Sequence, residues 1–439
     1  MNSHKRVFLI TIDCLRADHV GCIGGDKLTP NIDRLAKDST VYTMAFANGP
    51  GTNQSFPAIL TSTYFLMQKG MRLSPKYTTI SEVMKENGFK TAAFHSNPFL
   101  SSTLGWNRGF DEFYDYKGVI KSPSAFISKY QSSDIKTKIF RFFISLFSII
   151  INRRLKNILK RIYYKFTNLE IPYLEGRELN KQVINWLEKN SRDSFFLWMH
   201  YMDPHYPYIP PDKYLSDFFS RKEAFEYNLS INFNSLSREE VVTLRKLYEG
   251  EVKYTDACIG DFIQYLKKKD LFEGSLILLM SDHGHAFLEH NKFAHAHDIL
   301  YNEVLHVPLI IFGIEAGKKI DNPVQLLDVP PSILDLLNIK IPSSFIGESL
   351  YNDNYSNPIF SESAKPDLIN LKYDTTRKVI SCIKGTSKLI INEIQDNIEL
   401  YDIKKDYREN NNLFNIKEDI FVELEYLIKK HLSNEMLKY

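Results

Sequence analysis

Two side chains of metal-ligand type, Asp282 and His283, stand in the run Ser281-Asp-His-Gly-His285, directly after the apolar stretch at 276–280. A carboxylate oxygen next to an imidazole nitrogen, beside a glycine that lets the backbone turn sharply, suits a hard or borderline divalent cation. Asp13 follows the first apolar stretch, residues 7–12. A sheet that sets these two stretches side by side brings Asp13 opposite Asp282 as a third ligand. The fourth group is a hydroxyl. In Gly49-Pro-Gly-Thr52-Asn-Gln-Ser55-Phe-Pro57 a turn-rich loop runs into a short helix, and Thr52 sits where free backbone N–H groups favour an anion such as sulfate or phosphate. A threonine hydroxyl is a weak nucleophile until a cation lowers its pKa and holds it for in-line attack. Capping of the helix by Thr52 is the competing reading of this local sequence. Ser55 is the reserve nucleophile, inside the helix, where packing or hydrogen bonding suits it better.

These residues need a scaffold that gathers them. The apolar runs at 7–12, 91–94, 195–199 and 276–280 are continuous rather than alternating, which means that both faces of each strand are covered. Helical spacing with start signals occupies 29–36, 79–87, 174–190 and 254–268. The expected fold is therefore α/β, a three-layer α/β/α sandwich around a mostly parallel sheet. Such sheets collect ligands beyond the carboxyl ends of their strands, where Asp13, His95, His200 and Asp282 all fall. Any one of them alone is readily a turn residue; four together point to a site. After about residue 340 the texture changes. Short strands at 359–361, 379–383, 388–392 and 399–402, then a helical pattern over 417–437, predict a small antiparallel sheet with a helix. The expected division is a catalytic domain over 1–340 and a C-terminal subdomain over 341–439.

A chain of 439 residues is long enough for two domains, and 44% hydrophobic with 25% charged residues is the composition of a folded protein. With 55 basic against 53 acidic side chains, the formal charge of +2 supplies no global field for nucleic acid, and none is expected as a partner. Cys14, Cys22, Cys258 and Cys382 follow no paired spacing, as suits a reducing interior. Residues 1–5 lead straight into the first strand without an export leader, so the expected location is cytoplasmic. One segment departs from the average. Within an insert over about 134–168, residues 136–165 carry nine basic and no acidic side chains around an apolar run. Its longest uncharged stretch, 142–152, is 11 residues, against about 20 needed to span a bilayer. Two readings of it stand: a basic amphipathic helix making peripheral contact with the inner membrane surface, or a helical excursion packed on the main domain.

The ordered motifs Ile10-Thr-Ile-Asp13-Cys-Leu-Arg-Ala-Asp18, Thr29-Pro-Asn-Ile-Asp33, the loop from Thr52 to Ser62, His200-Tyr-Met-Asp-Pro-His205, Ser281-Asp-His-Gly284 and Leu300-Tyr-Asn-Glu-Val-Leu-His-Val-Pro308 resemble the series of the sulfatase family, within the alkaline phosphatase superfamily. Glu399-Leu-Tyr-Asp402 is similar to the family's C-terminal subdomain. The resemblance implies an ester hydrolase with one divalent metal ion, Ca2+, Mn2+ or Zn2+, held by Asp13, Thr52, Asp282 and His283. It implies Thr52 as nucleophile, His205 as a contact to the transferring group with His200 as its neighbour, and His295 or His297 at the leaving group. The implied substrate is a sulfate or phosphate ester.

Two departures qualify the resemblance. Sulfatases carry a second aspartate where this chain has Cys14, and a Cys or Ser matured to formylglycine where it has Thr52. The threonine cannot mature in that way and favours phosphorus over sulfate chemistry. The remaining set resembles the single-metal phosphodiesterases and the phosphoglycerol- or phosphoethanolamine-type transferases of the same superfamily, which act on lipid- or glycan-linked substrates. A non-catalytic binding protein of the same fold is the third reading.

Overall fold

A computed structural model describes residues 4–115, 173–215, 220–233, 235–352, 357–367 and 370–437; the basic insert at 136–165 lies outside them. The first strand, β1 (Arg6–Ile12), alternates its side chains between two apolar clusters. Val7 and Leu9 pack with Phe196, Trp198 and Leu276, whereas Phe8 and Ile10 pack with Phe195, Leu197 and Ile277. A strand with a core on each face must lie inside a three-layer sandwich. Its neighbours are β5 (Phe195–Tyr201) and β6 (Ser275–Ser281), both parallel to it, with Ile12 level with Tyr201 on one side and Ser281 on the other. That register places the three strand ends side by side.

The nine-stranded sheet is completed by β2 (Ser39–Phe46), β3 (Lys90–His95), β4 (Glu112–Asp115), β9 (His306–Phe312), β10 (Lys319–Ile320) and β11 (Val324–Gln325), in the order β10-β2-β9-β6-β1-β5-β3-β4 with β11 also on β2. Only β9 runs antiparallel to its neighbours β2 and β6, and β7 (Ala286–Phe287) with β8 (Phe293–Ala294) forms a separate antiparallel hairpin. The mostly parallel α/β sandwich of the sequence reading is what forms. Helix α1 (Pro30–Lys37) has its first amides capped from another element: Asp256 accepts from the N–H groups of Asn31 and Ile32 at 3.0 and 2.8 Å. Asp256 belongs to the long helix Arg238–Lys268, which starts well before the 254 expected from spacing. The missed signal is a capping box, Ser237 with Glu240, which supplies partners for two first-turn amides.

The C-terminal strands β12 (Ile359–Asp367), β13 (Lys372–Lys384), β14 (Ser387–Asn392) and β15 (Asn397–Asp402) form an antiparallel four-stranded sheet, followed by the helix Glu418–Leu437. Leu389, Leu400, Leu424 and Ile428 share one apolar cluster with Ala58, Tyr64 and Leu327 of the larger sheet's layers. Among the described residues no helix is long and apolar enough to cross a membrane.

Polar contacts lock the two sheets together. Lys388 and Glu409, both fully buried, pair at 2.7 Å, and Glu409 also accepts the Asn302 amide at 2.6 Å. His290 donates from Nδ1 to Glu303 at 2.9 Å and from Nε2 to the Glu409 carbonyl at 3.0 Å, with its ring stacked on Tyr301 at 3.7 Å. Both nitrogens donate, so this is an imidazolium. Burial opposes that charge, but the Glu303 hydrogen bond outweighs it and raises the pKa to about 9. A folded-state value above the unfolded value of about 6.5 contributes stability that is complete below pH 6.5 and lost as pH rises through about 9. His290→Gln is therefore expected to lower the urea midpoint more at about pH 6.5 than at about pH 10. Equal losses at both would contradict this assignment.

Candidate metal centre

Because β1 and β6 end level, Asp13 and Asp282 emerge together, both fully buried. Two carboxylates brought so close repel one another. Burial, and then the charge of Asp13, push Asp282 well above the ordinary carboxylate range. Burial works on Asp13 too, but His205, then the hydrogen bond from His200, then His283 hold it well below that range. His283 completes the trio, with Nε2 at 3.6 Å from Asp13 Oδ1 and 3.6 Å from Asp282 Oδ2. Its Nδ1–H donates to the Gly284 carbonyl at 2.9 Å, which leaves the Nε2 lone pair facing the carboxylates. Burial keeps this ring neutral by lowering its pKa.

Asp13 Oδ1 and Asp282 Oδ2 are buried without a hydrogen-bond partner. Unsatisfied carboxylate oxygens cost several kcal/mol unless a cation occupies the space between them. The orphaned oxygens and the free imidazole lone pair together fit one divalent cation. Gly284 serves this turn by close approach rather than by unusual torsion: a Cβ there would lie 2.3 Å from the Glu303 carbonyl oxygen.

Thr52 opens helix α2 (Thr52–Thr61), behind Gly51 in extended conformation. Its Oγ1 lies 3.5 Å from Asp13 Oδ2 and 3.4 Å from His283 Nε2. No side-chain cap bond forms at this helix end, so the capping role does not describe Thr52. Ser55 donates to the Asp282 carbonyl at 2.7 Å and so ties α2 to the end of β6. It is a hydrogen-bonding residue and points away from the reserve role of nucleophile.

Asn97 is absent from the set expected from sequence. It follows β3 in His95-Ser-Asn-Pro98, and its Nδ2 donates to Asp13 Oδ2 at 3.0 Å and to Thr52 Oγ1 at 3.3 Å. The signal was available, since Asn97 is another polar residue just beyond a buried strand. His200 ends up behind Asp13. Trp198 donates to Thr11 at 3.0 Å, Thr11 lies 2.8 Å from His200 Nδ1, and His200 Nε2 lies 3.3 Å from Asp13 Oδ2. This chain orients the carboxylate. His95, expected at the site, instead stacks on Trp198 at 5.1 Å and meets Phe113 edge-on at 5.0 Å. Burial, then His200, push it down to about 3, so it is a neutral core side chain.

The remaining histidines separate. His295 packs 4.5 Å from His283 and 5.3 Å from His205, between ring centroids. Burial and then those neighbours hold it well below the usual histidine range. His297, two residues on, is partly buried and lies in the fields of Asp298, Lys365 and Lys292. The geometry thus brings Asp13, Thr52, His205, Asp282, His283 and His295 together and leaves His297 outside.

Residues 5–339 match the family model described as Sulfatase. The chain belongs to the sulfatase family. Residues 289–438 also match the model of the N-sulphoglucosamine sulphohydrolase C-terminal region. Human arylsulfatase K is 24% identical over 374 residues, covering 76% of this chain and 62% of that protein, so the chain spans about three-fifths of that relative's length. Arylsulfatase of Clostridium perfringens is 23% identical over 476 residues, covering 96% of this chain and 92% of that protein. Among solved structures, a protein in complex with its substrate D-glucosamine-2-N,6-O-disulfate superposes with TM-score 0.72 at 17% identity, over 98% of both chains. Phosphonate monoester hydrolase of Agrobacterium radiobacter gives 0.71 at 18% identity, over 99% of this chain and 95% of that one. These two establish a sulfatase-type fold.

If Asp13, Asp282 and His283 are ligands and Asn97 orients them, Asn97→Ala is expected to weaken Mn2+ binding about 10- to 100-fold and Asp282→Asn to abolish it. Titration calorimetry reads both. Unchanged affinity in Asp282→Asn would remove this centre.

Proposed function

We propose that this sulfatase-family chain is a metal-dependent hydrolase of sulfate or phosphate esters in which Thr52 is the nucleophile. The observation that carries the reading is the position of Thr52 Oγ1 at a helix N-terminus, within reach of Asp13, His283 and Asn97 together. A divalent cation held by Asp13, Asp282 and His283 supplies the charge that lowers the hydroxyl pKa and neutralises the non-bridging oxygens of the ester. The protein's own groups do the rest. Asn97 donates to Thr52 Oγ1 and so directs the hydroxyl hydrogen toward Asp13 Oδ2, while the free amides of the first turn of α2 face the anion.

Attack of Oγ1, with its proton passing to Asp13 Oδ2, forms a Thr52 ester as the bond to the leaving oxygen breaks, and that oxygen takes a proton from the histidine pair His205 and His295. Water then attacks the sulfur or phosphorus, one of these histidines accepts its proton, and the departing Thr52 oxygen regains its own from Asp13. An anion bound beside His295, which burial keeps neutral, raises the proton affinity of that ring, which suits it to the acid step. The matches to arylsulfatases and the fold shared with phosphonate monoester hydrolases support ester hydrolysis. Threonine in place of a maturable residue favours phosphorus over sulfur as the centre attacked, and transfer to an acceptor hydroxyl instead of water is the second reading, on the same observation. Neither outcome alters the role of Thr52.

Thr52→Ala is expected to abolish turnover of aryl sulfates, phosphodiesters and phosphonate monoesters, and Thr52→Ser to retain part of it. Undiminished turnover in Thr52→Ala with every substrate would sink the proposal. For the leaving group, His295→Ala is expected to lower kcat about 10^2- to 10^4-fold for alkyl esters and less for nitrophenyl esters, which leave without a proton. His297→Ala is expected to leave both unchanged. The reverse pattern would exchange their roles.

A further inference from the structure

The departure at Cys14 leads to a second site. Cys14 is fully buried directly after β1, with a left-handed φ of 60° that few residues other than glycine adopt. Its carbonyl accepts from the Tyr248 hydroxyl at 2.9 Å, and the two following amides are held by Ser281 at 2.9 Å and by Tyr248 at 3.1 Å. The thiol is thus aimed by a rigid backbone. Sγ lies 3.8 Å from His283 Nδ1 and 3.7 Å from His295 Nδ1. Since His283 Nδ1 already donates to Gly284, and Asp13 and Asp282 face Nε2, the thiol meets His283 on the edge of the ring turned away from the carboxylate pair.

His285 comes from the same turn and is fully buried. Its backbone is pinned at both ends, the amide donating to the Glu303 carbonyl at 2.8 Å and the carbonyl accepting from Arg16 at 2.9 Å. Nε2 meets the buried Tyr208 hydroxyl at 2.9 Å, while Nδ1 is buried with no hydrogen-bond partner. An imidazole with one nitrogen fixed by a polar neighbour and the other bare is the arrangement of a metal ligand with its outer-shell partner. One ligand atom each from Cys14, His285 and His295 lie within 4.8 Å of one another.

We propose that Cys14, His285 and His295 form a second divalent-cation site, selective for zinc-like ions, beside the Asp13–Asp282–His283 centre. A sulfur and two imidazole nitrogens select zinc over calcium or manganese, which prefer oxygen. Tetrahedral bonds of about 2.0 to 2.3 Å place ligand atoms about 3.3 to 3.8 Å apart, so the trio closes by about 1 Å around an ion. Three protein ligands leave a fourth coordination position open. Binding displaces the thiol proton and makes His295 a ligand, so in the doubly loaded protein proton transfer to the leaving oxygen falls to His205. Only that last consequence rests on the hydrolase reading; the site itself does not.

The test uses the full chain, stripped by a chelator and reloaded with Zn2+ or Co2+ and then desalted. Bound metal is counted by elemental mass spectrometry, and Co2+ reports sulfur ligation through its thiolate charge-transfer absorption. The expected result is two equivalents with the thiolate band. Cys14→Ser and His285→Asn each keep one equivalent, and Cys14→Ser loses the band. Asp282→Asn keeps one equivalent together with the band, which separates the two centres. A single equivalent in the unaltered chain, or no thiolate band with two, would overturn the second site. Two equivalents and a band persisting in Asp282→Asn would overturn the first centre while leaving the second. Circular dichroism confirms that each variant is folded, with His285→Asn as the independent check should Cys14→Ser unfold.

Discussion

Two like charges held side by side out of water organise this molecule. Parallel pairing in register of β1 with β6 delivers Asp13 and Asp282 to one point, both buried, each with an oxygen that no protein group satisfies. Such a pair is unfavourable unless positive charge stands between or beside it. Asn97 and His200 contribute hydrogen bonds to Asp13 Oδ2, and the orphaned oxygens leave room for a cation. Much of the nearby polar structure exists to hold that tension in place. Thr11 and Trp198 fix His200, Gly284 fixes the His283 tautomer, and Ser55 pins α2 so that Thr52 faces the pair.

How much of this was legible from sequence follows from where each signal lives. Continuous apolar runs that end in Asp13, His200 and Asp282 state the parallel sheet and its ligand edge, because a strand covered on both faces needs no alternation. The C-terminal sheet was legible for the same reason, through short strands between turns. The strand β2 escaped because buried Ser39 and Thr40 and partly exposed Thr43 and Met44 blur its pattern. The helix from Arg238 was shortened because its first turns are polar and its start is a capping box rather than an apolar stripe.

Side-chain direction was the part that sequence could not state. His95 and His200 both sit at strand ends, yet one stacks in the core on Trp198 and the other backs Asp13. His295 and His297 differ by two positions, and only the hairpin that returns the chain past His205 chooses between them. Asn97 needed the same information, since its amide becomes informative only when Asp13 and Thr52 are both within reach. Cys14 is the reverse case: a visible loss of one carboxylate that acquires chemical meaning once His285 and His295 are seen beside it.

The chain belongs to the sulfatase family, and the proposed reading turns on the identity of the attacking group. The most direct measurement is mass spectrometry of the protein quenched during turnover of a slow phosphonate or sulfate ester. A phosphonyl or sulfuryl adduct on the peptide that carries Thr52, absent from Thr52→Ala, is the result this account predicts. An adduct on another residue, or turnover that never labels Thr52, would contradict it.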